Sequence, residues 1–163
     1  MTTCARAALA SILLWGSGGS PAAAESAGAS HAEQALVFAA VRQFTDGFNA
    51  GNMQRAVAAC AVQTAIIDEF PPHRWYGPGG CRQWWRDLVA NNASQGITGA
   101  RVTLGTPSHL EIDGNRAYVV VTASETFMQR GKRVAESGSV FTLVLDRVAV
   151  GWRISAWAWA AGH

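Results

Sequence analysis

The stretch TAIIDEFPPHRWYGPGGCRQWW, Thr64 to Trp85, decides the fold. Its opening, TAIIDEF (64–70), is short and β-branched at its centre, which predicts a strand. Alternation with period two puts Ile66, Asp68 and Phe70 on one face of it, and Ala65, Ile67 and Glu69 on the other. Pro71 to Gly80 is dense in proline and glycine and reads as a loop. A helix then opens near Cys81. Cys81, Trp84, Trp85, Leu88 and Val89 recur at the spacing of one core-facing helical stripe.

Upstream, Ser30-His31-Ala32-Glu33 has the Ser-x-x-Glu form of a capping box, so a helix is expected to start there. Val37, Val41, Phe44 and Phe48 form its buried stripe, and Asn49-Ala50-Gly51-Asn52 ends it. A second, short helix is predicted from Met53 to about Ala61. Downstream the pattern changes to strands at Ser108–Ile112, Arg116–Met128, Val134–Asp146 and Trp152–Ala160. The turns between them are Asp113-Gly114, Arg130-Gly131-Lys132 and Ala149-Val150-Gly151. Consecutive strands joined by short turns imply an antiparallel meander. Three helices followed by such a sheet define an α+β fold, with a curved antiparallel sheet wrapped around the N-terminal helices to form a conical pocket.

The chain has 163 residues, 49% hydrophobic and 15% charged, with a formal net charge of +2. That length gives one ordinary domain, and the apolar fraction excludes disorder. A charge so near zero supplies no basic footprint for nucleic acid. Met1–Ala24 reads as a signal peptide: Arg6 is the positive n-region, Ala7–Trp15 the apolar h-region, and Ala22-Ala23-Ala24 the small-residue cleavage site. The h-region is too short to span a bilayer, which needs about 20 apolar residues. Residues 25–32 are then a leader to a domain covering 33–163, in a periplasmic or secreted protein that has no membrane contact after cleavage. In an oxidising compartment Cys60 and Cys81 read either as a disulfide contributing about 3 kcal/mol or as two buried thiols on helix faces. His31, His73, His109 and His163 are scattered without ligand spacing, so no metal site and no cofactor are expected.

Three segments carry a family resemblance: FNAGNMQRAVAACA (48–61), the stretch at 64–85, and the terminal WRISAWAWA (152–160). Together with the element order they resemble the nuclear transport factor 2-like superfamily, which includes SnoaL-like cyclases, scytalone dehydratase and the ketosteroid isomerases. The resemblance covers about Glu33 to Ala160. It implies a cone that binds a small hydrophobic ligand, and a homodimer formed through the sheet. In the ketosteroid isomerases the catalytic Asp lies at the end of the first short strand, and the resemblance places Asp68 there. Their two oxyanion donors, a Tyr in the first helix and an Asp on a later strand, fall on Phe44 and Phe141 here. Both are apolar, and losing even one such donor can cost on the order of a hundred- to a thousandfold in rate. Ketosteroid isomerisation is therefore disfavoured.

The candidate catalytic residues are Asp68 as general base, with His73 or Tyr76 as proton partner on the adjoining loop. Flanked by Ile66 and Phe70, Asp68 is placed for desolvation, which raises a carboxylate toward a useful base. The competing reading pairs it with Arg74 at the surface. Phe44, Trp75, Trp85, Thr122, Phe141, Trp157 and Trp159 are the candidate substrate-binding residues. Trp157 and Trp159 share one face of the last strand, opposite a row of alanines suited to a close subunit contact. Those tryptophans wall a ligand cone or simply fill it. Three functions stay open: a hydrophobic ligand-binding domain, a cofactor-independent isomerase, dehydratase or cyclase, and a non-catalytic structural or protein-binding module.

Overall fold

The computed structural model describes residues 22–162. Its elements are α1 (Ala22–Asn49), α2 (Met53–Ala58), β1 (Cys60–Ile67), β2 (Arg74–Pro78), α3 (Gly80–Gln95), β3 (Ile97–Asp113), β4 (Arg116–Gln129), β5 (Lys132–Val148) and β6 (Gly151–Ala160). The strands form one sheet in the order β2-β1-β6-β5-β4-β3. All neighbours run antiparallel except β1 and β6, which are parallel. The last strand thus returns beside the first, and the three helices pack on the concave side. This is the α+β cone expected from the sequence.

α1 begins at Ala22, upstream of the expected start, so the Ser30 box does not cap it. The run AAAESAGA holds no proline, and its alanines are the best helix formers, so nothing stops the helix from extending. Glu33 has a different task. Its carboxylate accepts a hydrogen bond from the Trp152 indole and pairs with Arg147 at 2.5 Å, tying the helix to the far end of the sheet. Of the expected signal peptide, residues 1–21 lie outside the described residues. Val37, Val41 and Phe44 are buried as their spacing requires, with Phe48 partly buried. Gly47 lets α1 and α2 touch: a Cβ there would stand 2.4 Å from the Ala56 nitrogen. At the end of α1, Asn49 donates to the Val102 carbonyl and accepts from the Val102 N–H, both at 2.7 Å, which fixes the helix against β3.

Four boundaries differ from the sequence reading. α2 ends at Ala58, because Cys60 and Ala61 already belong to β1. β1 ends at Ile67, although the inward alternation Thr64, Ile66, Asp68, Phe70 continues past it. The expected loop 71–80 contains β2, whose Trp75 and Tyr76 pair with Ile66 and Ala65. The strand expected at Ser108–Ile112 is only the end of the 17-residue β3. In α3, Trp84 and Trp85 are buried as their spacing requires, but Val89 is exposed. Cys60 and Cys81 are joined in a disulfide, linking the start of β1 to the first turn of α3.

Two register shifts shape the concave face. On β4 the odd residues from Ala117 to Ala123 face inward, opposite Ser139, Phe141, Leu143 and Leu145 of β5. At Gly138, with φ +75°, β5 carries one extra residue: Ala123 pairs with Ser139, but Ser124 pairs with Ser137. This bulge reverses the parity of β5. Glu136 and Val134 now turn toward the interior, and Glu136 stands in register with Glu125. Glycine meets the positive φ without the steric cost of a Cβ. A second shift lies in β6, where Ile154 pairs with Leu145 and Ala156 with Val144, leaving Ser155 extra. It moves the inward set from Trp152 and Ile154 to Trp157 and Trp159.

Candidate functional site

The open end of the cone encloses a cavity of about 120 Å³. Phe44, Trp84, Phe141, Trp157 and Trp159 supply aromatic walls, and Asp68, Glu69 and Glu125 supply carboxyl groups. The rings interlock. Phe44 lies 5.6 Å from Trp84 and 5.8 Å from Trp157, and Trp84 meets Trp157 edge-on at 4.9 Å. Phe141 reaches Trp157 at 5.5 Å and Trp159 at 5.6 Å. These separations suit favourable aromatic contacts and explain why so little open space remains. An apolar cavity of about 150 Å³ takes a benzene-sized molecule, so the space here suits a single ring or a short chain.

Asp68 sits in this wall, one residue beyond the end of β1, and is buried. The Trp84 indole N–H donates to Oδ2 at 2.7 Å, and the Glu69 backbone N–H donates to Oδ1 at 2.8 Å. Arg74 does not hold the carboxylate; it lies exposed on β2. Burial pushes the Asp68 carboxyl above the usual aspartate range, against the lowering effect of its two hydrogen bonds and of nearby His73. Among the described residues, no arginine, lysine or histidine lines the cavity.

The expected proton partners are elsewhere. The His73 ring is exposed, and its Nδ1 lies 3.2 Å from the Asp68 backbone oxygen, not from the carboxylate. A turn sets this arrangement: the Asp68 N–H donates to the His73 carbonyl, and the His73 N–H to the Phe70 carbonyl. Tyr76 is 79% exposed, because its register opposite Ala65 turns it onto the convex face. The strand in this supposed loop is what separates the three residues. Neither side chain is placed to exchange a proton with the Asp68 carboxylate.

Of the expected binding residues, Phe44, Phe141, Trp157 and Trp159 line the cavity. Trp75, Trp85 and Thr122 do not. Trp75 is buried against Phe70 and donates to Asp87 on α3 at 2.8 Å, so it braces the hairpin. Trp85 packs edge-on against Phe48 and Trp84 inside the core. Thr122 has the outward parity of β4, where its hydroxyl and carbonyl lie beside Gly105.

The sequence reading overlooked the acidic rim. Glu125 is pushed up to about 7, first by burial and then by Glu136, Glu69 and Asp68. Glu69 is also raised, by burial and by Asp68 and Glu136. The signal was present in Ser137-Gly138-Ser139, since an isolated glycine inside a strand pattern marks a bulge. Counting across that bulge brings Glu136 inward opposite Glu125. Trp84, the donor that orients Asp68, has in the sequence only the spacing of a core position. Among the described residues, no group of three or more His, Cys, Asp or Glu is arranged to hold a metal ion.

No family model and no curated protein matches the sequence. Solved structures do match. An NTF2-like superfamily protein from Salmonella enterica is 14% identical, with a TM-score of 0.69 over 82% of this chain and 94% of its own. A protein from Streptomyces avermitilis, named for a dehydratase of the NTF2-like family, is 16% identical with a TM-score of 0.68, over 82% and 99%. A ketosteroid isomerase-like protein from Erwinia carotovora is 13% identical with a TM-score of 0.64, over 79% and 95%. At such identities the likeness establishes architecture and leaves chemistry to the site. The chain has the nuclear transport factor 2-like, cystatin-like α+β fold.

Proposed function

We propose that the cone binds a compact, predominantly hydrophobic molecule and that Asp68 is its general base, in a cofactor-independent isomerisation, dehydration or cyclisation. The observation that carries this is the Asp68 carboxylate itself. It is buried in the cavity wall, oriented by the Trp84 indole and the Glu69 N–H, and not neutralised by an arginine. Desolvation raises its basicity toward neutral pH, where a general base is most effective. Neighbours of the same fold named for a dehydratase and for a ketosteroid isomerase are consistent with such chemistry. The cavity is too small for a steroid nucleus without rearrangement of the tryptophans, which agrees with the apolar Phe44 and Phe141.

The test is deuterium exchange at the α-carbon of cyclohexanone in heavy water, followed by NMR. Exchange above the buffer rate that Asp68→Asn removes supports the general base. Asparagine keeps an acceptor for Trp84 but cannot take the proton. Binding of the ketone with no exchange reduces the reading to a ligand-binding domain. A second reading rests on the small volume: the aromatic side chains fill the cone and the domain is structural. Absence of binding by any single-ring probe favours it.

Export belongs to the same proposal, since the Arg6/Ala7–Trp15 leader and the Cys60–Cys81 bond both suit an oxidising compartment. Protein recovered from the periplasmic or culture fraction is expected to begin at Glu25. A homodimer is proposed through the convex face, where Ala156 and Ala158 permit close approach beside exposed Ile67 and Tyr76. Ala158→Arg is expected to convert it to a monomer in light scattering.

A further inference from the structure

We propose that the Trp157 indole N–H is the donor that receives the ligand's polar atom. On this reading the cavity's ligand is a compact neutral molecule carrying an uncharged oxygen acceptor, such as a carbonyl. The inference deepens the ligand-site reading above and rests on it.

The buried tryptophans other than Trp85, which packs on Phe48 and Trp84, differ in how their indole N–H is satisfied. Trp75 donates to Asp87 at 2.8 Å, Trp84 donates to Asp68 at 2.7 Å, and Trp152 donates to Glu33. Each indole N–H has a carboxylate. Trp157 is only 4% exposed and lines the cavity, and its buried N–H has no hydrogen-bond partner among the described residues. Its immediate neighbours are the rings of Phe44, Trp84 and Phe141, at 5.8, 4.9 and 5.5 Å between centroids. None of these offers a lone pair, and an aromatic face is a weak acceptor. Asp68, a carboxylate of the wall, accepts from the Trp84 indole and the Glu69 N–H and not from Trp157. A buried donor left unpaired costs free energy, and native structures seldom retain one without a reason. A hydrocarbon ligand would leave that cost in place; an acceptor on the ligand removes it.

The charge of the wall narrows the class. Among the described residues, three carboxyl groups and no basic side chain line the space, so an anionic acceptor would be repelled. A neutral oxygen meets the N–H without that penalty. The donor also supplies what Phe44 and Phe141 lack. When Asp68 takes a proton from the carbon beside a carbonyl, the C–H electron pair becomes the new C=C bond. The carbonyl π pair then moves to oxygen, where the Trp157 N–H stabilises the developing charge. Return of the proton from Asp68 to carbon completes the cycle, with no oxidant or cofactor consumed.

The experiment compares cyclohexanone with methylenecyclohexane, a hydrocarbon of nearly the same shape, on protein with ¹⁵N-labelled indoles. Cyclohexanone is expected to shift the Trp157 indole proton downfield and to bind about fivefold more tightly, the worth of one net hydrogen bond. Methylenecyclohexane should leave that proton near its free position. Trp157→Phe is expected to abolish or reverse the ketone preference, because the ketone oxygen would then be buried without a donor. An indole proton unmoved by bound cyclohexanone, or a ketone preference that survives Trp157→Phe, overturns the assignment and leaves the ligand site standing. Failure of both probes to bind wild-type protein overturns the ligand site itself, and this inference with it. The wild-type shift does not depend on the variant folding.

Discussion

The two ends of the β4–β5 ribbon are built from the same pair of strands and serve opposite purposes. Beyond Phe141, at the end nearer the β3–β4 and β5–β6 turns, Val119, Val121, Leu143 and Leu145 are fully buried. Across the Gly138 bulge, Glu125 and Glu136 face each other beside the cavity. In an unbulged ribbon Ser137 would stand opposite Glu125, and Glu136 would point to solvent. One inserted residue thus converts core-forming parity into a polar rim. Stability and chemistry are thus separated along the strands rather than between domains.

The largest test of that separation is truncation at the packed end. Leu143→Ala should cost about 2–5 kcal/mol, because its cavity is surrounded by rigid neighbours. Phe127→Ala, at the partly buried open end, should cost clearly less in the same urea titration. Equal losses would break the distinction. Next in size is the disulfide, which spans 21 positions. Replacing both cysteines by alanine is expected to lower stability by about 2–4 kcal/mol, measured against the oxidised protein.

A smaller effect concerns pH. Glu125 is raised from its ordinary 4.5 to about 7, so the folded state holds this proton more tightly than the unfolded state does. The corresponding stability is fully present below pH about 4.5 and is lost as pH rises through about 7. Its full extent is on the order of 3 kcal/mol, less whatever solvent screening removes at this half-buried side chain. Glu125→Gln should therefore stabilise the protein at pH 8 and flatten thermal midpoints between pH 5 and 8. An unchanged slope would show that the rim is hydrated and that its carboxyl groups do not feel one another. The smallest expected effects are at the residues that the strand β2 removes from the site. His73→Asn, which tolerates the positive φ at this position, and Tyr76→Phe should change stability by less than about 0.5 kcal/mol. They should alter proton exchange by less than about twofold, since neither side chain meets the Asp68 carboxylate.

Much of the molecule was legible in the chain because periodicity reports burial directly. The stripe Val37, Val41, Phe44 and the inward alternation of Thr64, Ile66, Asp68 and Phe70 are satisfied in the structure. Asp68 emerged from that alternation, since an acid with apolar residues on its own face is either desolvated or paired. The partners of Asp68 were not legible. His73 and Tyr76 are near in sequence but are turned away by the hairpin, whereas Trp84 lies 16 positions on and meets the carboxylate through the packing of α3. Short apolar helix positions such as Trp84 carry no mark that separates a donor from a filler.

By itself the sequence determined the α+β class, the helical stripes, the turns of the meander and Asp68 as an inward acid, because these follow from local periodicity and turn chemistry. Only the tertiary structure decided which groups meet: the Asp68–Trp84 bond, the Glu125–Glu136 rim, the unpaired Trp157 N–H and the size of the cavity. Those depend on bulges that shift strand parity and on contacts between residues far apart in the chain. One residue's slip in register reverses which side chains face inward, and no local pattern fixes that count.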